Sequence, residues 1–136
     1  MNYQDSGLRN LVLVCLGLTL AVASQNMLLL AAPLRAINIG VSPAVIGIVL
    51  SAPYLLPMLL AIPLGDRVTR HGPQRMFAIG AIGMIVGPLV SFTVNSLSAL
   101  LITQLTVGLA HVVMVISAQS AVATLGQGKK LERYFG

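Results

Sequence analysis

The hydrophobic pattern of this chain is written by where charge stops. Residues 10–34 carry no charged side chain, between Arg9 and Arg35. Residues 36–65 carry none, between Arg35 and Asp66, and residues 76–128 carry none, between Arg75 and Lys129. A helix needs ~20 apolar residues to cross a bilayer. The first two runs each suit one crossing. The third suits two if the chain turns near its middle, and Asn95-Ser96-Leu97-Ser98 supplies the turn and cap residues. The pattern predicts four helices, roughly over 8–35, 43–66, 75–94 and 97–124. A short loop over 66–75 and a tail over 125–136 complete the expected layout. The runs lack period-2 alternation, and backbone groups in lipid must be satisfied within the segment, so helices are preferred to strands.

Local signals refine this reading. Gly40-Val41-Ser42-Pro43 offers a loop glycine, a capping serine and a proline at the first helical position. Pro53, Pro57 and Pro63 each remove a donor from the second helix and predict kinking there. Arg9, the apolar stretch after it and Ala21-Val22-Ala23 resemble a cleavable signal peptide. Hydrophobicity continues to Leu34, however, which is long enough to span and stay.

Composition agrees. Of the 136 residues, 57% are hydrophobic and 8% charged, against ~25% charged in a typical soluble domain. The fold class expected is an all-α membrane protein, with the lipid bilayer as its main partner. The net charge of +5 does not mark a nucleic-acid binder, because the basic residues form short clusters between apolar runs. With an even number of crossings, Arg9, then Arg67, Arg70 and Arg75, then Lys129, Lys130 and Arg133 fall on one side, and only Arg35 falls on the other. Basic residues concentrate on the cytoplasmic side, so both termini are expected there, in a cell (inner, cytoplasmic) membrane.

Candidate chemistry lies in polar residues inside the spans. The first helix carries Ser24-Gln25-Asn26 and the fourth Gln104, His111 and Gln119. Gln104, Gly108, His111 and Gln119 follow one helical stripe. Such residues either line a polar cavity and touch substrate, or form interhelical hydrogen bonds that hold the bundle. Gln25, Asn26, Gln104 and His111 are the cavity candidates. His111 is suited either to relaying a proton or to neutral packing. Gly80, Gly83 and Gly87 form a small-residue face, with Gly83 to Gly87 a GxxxG pattern, and are expected to serve helix packing. Cys15 is the single cysteine, expected as a small packing residue. Asp5, Asp66 and Glu132 are the only acids, so no paired-carboxylate site is expected. No metal spacing, phosphate loop, GxSxG or nucleophile–base pair is present, and no cofactor or enzymatic activity is expected.

Gly65-Asp66-Arg67-Val68-Thr69-Arg70-His71-Gly72-Pro73-Gln74-Arg75 resembles the signature loop of the major facilitator superfamily, G-x-L-A-D-R-x-G-R-K. Gly65, Arg70 and Gly72 fall on its first glycine, arginine and second glycine. Arg75 supplies the later basic charge one place late. Thr69 takes the place of the motif's aspartate; a register shifted by three would match Asp66 and Arg67 but lose both glycines. Gly65 is expected to allow close backbone approach at a helix end, and Gly72 a turn with positive φ. Pro33 through Gly47 resembles the family's first external loop and second helix entry. Gln104 to Gly108 resembles its fourth-helix R-x-x-x-G, with glutamine for arginine.

The resemblance implies part of the N-terminal six-helix half of a secondary transporter, with solute bound between two halves and access alternating by rocking. It implies that the first and fourth helices line the cavity, and that Gly65, Thr69, Arg70, Gly72 and Arg75 form a conformational-switch loop. Threonine supplies no charge for the latch the aspartate makes. The expected partners are an unknown small solute, with proton coupling left open, and the remaining helices of the same transporter, this chain being expected as an N-terminal fragment. Two other readings stand beside it. One is a small four-helix subunit or assembly protein of a larger membrane complex, with the GxxxG helix as its interface. The other is a dimeric small multidrug exporter, disfavoured because residues 10–34 hold no Glu or Asp.

Overall fold

The computed structural model describes residues 3–126, with side chains described for 9–123 apart from Val90. The chain forms four helices and, among the described residues, no strand: α1 (Tyr3–Asn38), α2 (Pro43–His71), α3 (Pro73–Thr93) and α4 (Leu97–Gly126). Each contains a segment long and apolar enough to cross a membrane. The expected tail of 125–136 lies outside the described residues beyond Gly126.

α4 is the hub. Half of the residues in its span are buried, against 6% in the span of α1. Its most extensive contact is with α3, followed by α2 and then α1. Three apolar clusters stack along the bundle, and α4 enters each. At the Arg35 end, Ala32, Ala36 and Val49 meet Leu100. At mid-height, Ala21 and Met84 meet Val107, Ala110 and Met114. At the other end, Leu64, Val68 and Met76 meet Val113. The outward faces are apolar as well: Met58, Leu59 and Ile62 are 82%, 76% and 88% exposed. In water such a surface would drive association, whereas acyl chains cover it without cost.

The connection after α1 closes in a Schellman geometry. Val41 N–H donates to the Ala36 carbonyl (3.3 Å) and Gly40 N–H to that of Ile37 (2.9 Å). Gly40 takes the positive φ of +80° that this needs. Val41 packs against the apolar cluster that contains buried Ala36, as the motif's apolar contact would have it. Ser42 occupies the N-cap of α2, but its hydroxyl makes no cap bond. Its backbone carbonyl instead accepts from Val45 and Ile46. The N-cap hydroxyl bond is found at Ser96, whose Oγ accepts from Ala99 N–H at 3.2 Å.

The largest departure from the sequence reading is the segment 66–75. It is not a loop: α2 runs to His71 and α3 begins at Pro73, leaving Gly72 between them. Charge marks where a helix leaves lipid, not where it ends. Past Gly65 the helix is carried on by local bonds, Arg70 Nε to Asp66 Oδ1 (3.0 Å) and Thr69 Oγ1 to the Gly65 carbonyl (3.0 Å). His71 Nδ1 lies 3.0 Å from the Arg67 carbonyl, which can only accept, so Nδ1 carries the proton. Gly65 therefore sits inside α2 rather than at its end. Nothing lies within 4 Å of where its Cβ would be, so the expected close approach does not occur here. α1 similarly runs past Arg35 to Asn38. Cys15, expected as packing, is exposed.

Candidate solute path and the connection between α2 and α3

α1 and α4 run antiparallel along a seam whose register follows from the packing. Ala32 and Ala36 meet Leu100, and Ala21 meets Val107, Ala110 and Met114. Gln25 lies on the same α1 stripe, one turn from Ala21 and about one turn from Leu28. That places it at the height of the Gln104–Gly108 stretch of α4. Four side chains on these two helices leave a buried polar atom without a hydrogen-bond partner among the described residues: Gln25 Oε1, Gln104 Nε2, His111 Nδ1 and, further along α4, Ser117 Oγ. Gln104 is 2% exposed and His111 half-buried. In lipid an unpaired polar atom is costly, so the uncommitted atoms of Gln25, Gln104 and His111 mark a polar stretch along the bundle interior.

Asn26 does not join them. It is exposed, one position round the helix from Gln25, and its Nδ2 donates to the Val22 carbonyl at 2.9 Å. Gln119, the last member of the α4 stripe, is also exposed. Gly108 lies on the stripe but faces α2. A Cβ there would lie 2.6 Å from the Pro53 Cα and collide with the Pro53 carbonyl. The stripe therefore divides among three surroundings.

Residues 14–136 match the family model of the Major Facilitator Superfamily. The chain belongs to the Major Facilitator Superfamily. No curated protein and no solved structure matches it. Membership makes this a multi-pass protein of a family of membrane transporters, with four apolar helices of spanning length.

The residues that resemble the superfamily signature are arranged as a helix, a one-residue break and a second helix. Thr69 and Arg70 are exposed on the last turns of α2, Arg75 is exposed on the first turn of α3, and Gly72 holds φ +86° between them. Gly72 N–H donates to the Val68 carbonyl and its own carbonyl accepts from Met76, so one residue caps α2 and opens α3. The Asp66–Arg70 ion pair is well exposed, at 56% and 73%. Solvent screening leaves such a pair worth little.

The structure also assigns polar residues that the pattern did not single out. Thr103 Oγ1 donates to the Gly87 carbonyl at 2.9 Å, a buried bond from α4 to α3. Ser117 is fully buried with its Oγ unpartnered, and lines a cleft of about 260 Å³ with Asn10 and Gln74 near the α2–α3 connection. Their signal was a small hydroxyl within an uncharged run, which serine and threonine give too often in membrane helices to stand out.

Proposed function

We propose that this chain forms part of a secondary active transporter that moves a small solute by alternating access, working with further helices that complete the cavity. Supporting this is the cluster of unpaired polar atoms on Gln25, Gln104 and His111 along the α1–α4 seam. A path for a polar solute needs donors and acceptors that the resting fold leaves uncommitted. His111 gives the seam a group able to take up a proton, so proton coupling is part of this reading. The connection carrying Gly65, Thr69, Arg70, Gly72 and Arg75 is the switch element, its one-residue break allowing α2 and α3 to tilt against each other. Both termini lie in the cytoplasm of a cell whose inner membrane holds the protein, because seven of the eight basic residues then face inward.

The alternative of an assembly subunit docking through the GxxxG face fits less well. Gly80, Gly83 and Gly87 are covered by α4 of the same chain: their Cβ positions fall 2.6 to 2.8 Å from Met114, Ala110 and Val107. That face has no room for a partner.

Thiol accessibility tests the path. In a Cys15→Ser background, Gln25→Cys should react with a membrane-impermeant maleimide, whereas Met27→Cys, facing outward on the same turn, should not. Equal protection of both positions would remove the aqueous path and the transport reading with it.

A further inference from the structure

A second cleft, of about 100 Å³, lies between α1, α3 and α4 at the end of the bundle where α1 finishes. Two nitrogen donors share its wall. Arg35, in the last turn of α1, reaches across to the backbone carbonyl of Ser91 near the end of α3. Its guanidinium stands 6.0 Å from the centroid of the Phe92 ring. Gln104 faces the same cleft from α4, 2% exposed, with Nε2 unpartnered among the described residues.

Capping explains only part of this. A cation beside a helix C-terminus is favourable, and Arg35 meets that need with one N–H. A guanidinium has five donors. No carboxylate lines the cleft. Asp66 is paired with Arg70 on the far side of the bundle, at the other end of α2. Arg35 is thus a cation without a counter-ion among the described residues, next to an uncommitted amide donor, in a wall otherwise largely apolar. Leu28 and Leu100 contribute to that wall.

We propose that this cleft binds a phosphate group, held by the free edge of the Arg35 guanidinium and by the Gln104 amide. The planar fork of arginine matches phosphate oxygens two at a time, which a point charge does not. Arg35 lies one turn before the Gly40–Ser42 connection, the height at which a helix leaves the hydrocarbon and headgroup phosphates stand. The apolar wall suits the glycerol and first methylenes of a lipid. The site shares Gln104 with the solute path proposed above, but its test reads lipid binding rather than transport, so either proposal can fail without the other.

The experiment melts the full chain in detergent, stripped of lipid, with increasing phosphatidylglycerol or with inorganic phosphate. Native mass spectrometry counts the lipid retained. Phosphatidylglycerol should raise the melting temperature and leave one tightly held lipid, and Arg35→Gln should need roughly tenfold more lipid for the same shift. Arg35→Lys should fall between, because it keeps the charge and loses the fork. If inorganic phosphate alone gives a shift that Arg35→Gln abolishes, the group comes from a soluble phosphate rather than from lipid. If Arg35→Gln lowers the melting temperature of the stripped protein but leaves both responses unchanged, Arg35 is a helix cap only and the proposal fails. It fails equally if neither ligand shifts the wild-type chain.

Discussion

Pro57 carries no N–H, so the Pro53 carbonyl one turn earlier has no helical donor. The structure turns that carbonyl toward Gly108, where a Cβ would collide with it. A glycine Cα–H pointing at a carbonyl oxygen is worth about 0.5–1 kcal/mol, and here it meets an acceptor that the helix itself cannot satisfy. Gly108→Ala must push apart two backbones, and overpacking of this kind costs about 1–3 kcal/mol. Gly47, on the same helix as Pro53, has nothing within 4 Å of its Cβ position, and alanine there should gain roughly 0.5–1 kcal/mol. Thermal melts in detergent should therefore move in opposite directions for the two variants. A second comparison concerns Thr103, whose hydroxyl bonds the Gly87 carbonyl across α3 and α4. Thr103→Val should cost about 0.5–2 kcal/mol, the range for interhelical bonds in membranes. A neutral result would mean that close packing, not the bond, holds this crossing.

The helices obey two different limits at their ends. Lipid sets how long the apolar stretch must be, and the local chain sets where the helix stops. At α2 these differ by six residues of helix, 66–71, beyond the uncharged run. What ends it is Gly72, whose φ of +86° and ψ of 141° lie where only glycine is comfortable. Gly72→Ala should cost about 1–3 kcal/mol through backbone strain. Arg70→Gln should stay within about 1 kcal/mol of wild type, because the pair it breaks is exposed. Thermal melts of both variants check the contrast; equal losses would place the stability of this connection in its charges. The elements themselves were legible from charge-free length, and the α3–α4 boundary from Asn95 to Ser98. The continuation of α2 was not legible, because the same charged residues that exclude lipid also form the i,i+4 bonds that extend a helix into water.

At the scale of the molecule, α4 is, among the described residues, the only helix common to all three apolar clusters. It packs on α3 through three glycines, on α2 through one, and on α1 through a seam holding polar atoms. An antiparallel chain of four crossings puts the α1–α2 and α2–α3 connections on opposite sides. In a Cys15→Ser background, Ser42→Cys should label from outside intact cells and Gln74→Cys only after permeabilisation. The reverse pattern would invert the proposed orientation and put Arg35 at the cytoplasmic face.

The sequence by itself determined that this chain needs lipid, how many helices of spanning length it forms, and which family signature it carries. Those properties depend on runs and spacings along one dimension. Tertiary structure alone decided how the polar residues are shared out: Gln25 in the seam, Asn26 outside it, Gly108 against α2, and Gln104 in a cleft with Arg35. Helical periodicity fixes the face on which a residue lies, but not which neighbour covers that face. That choice rests on contacts between residues far apart in the chain, such as Gly108 with Pro53 and Arg35 with Ser91.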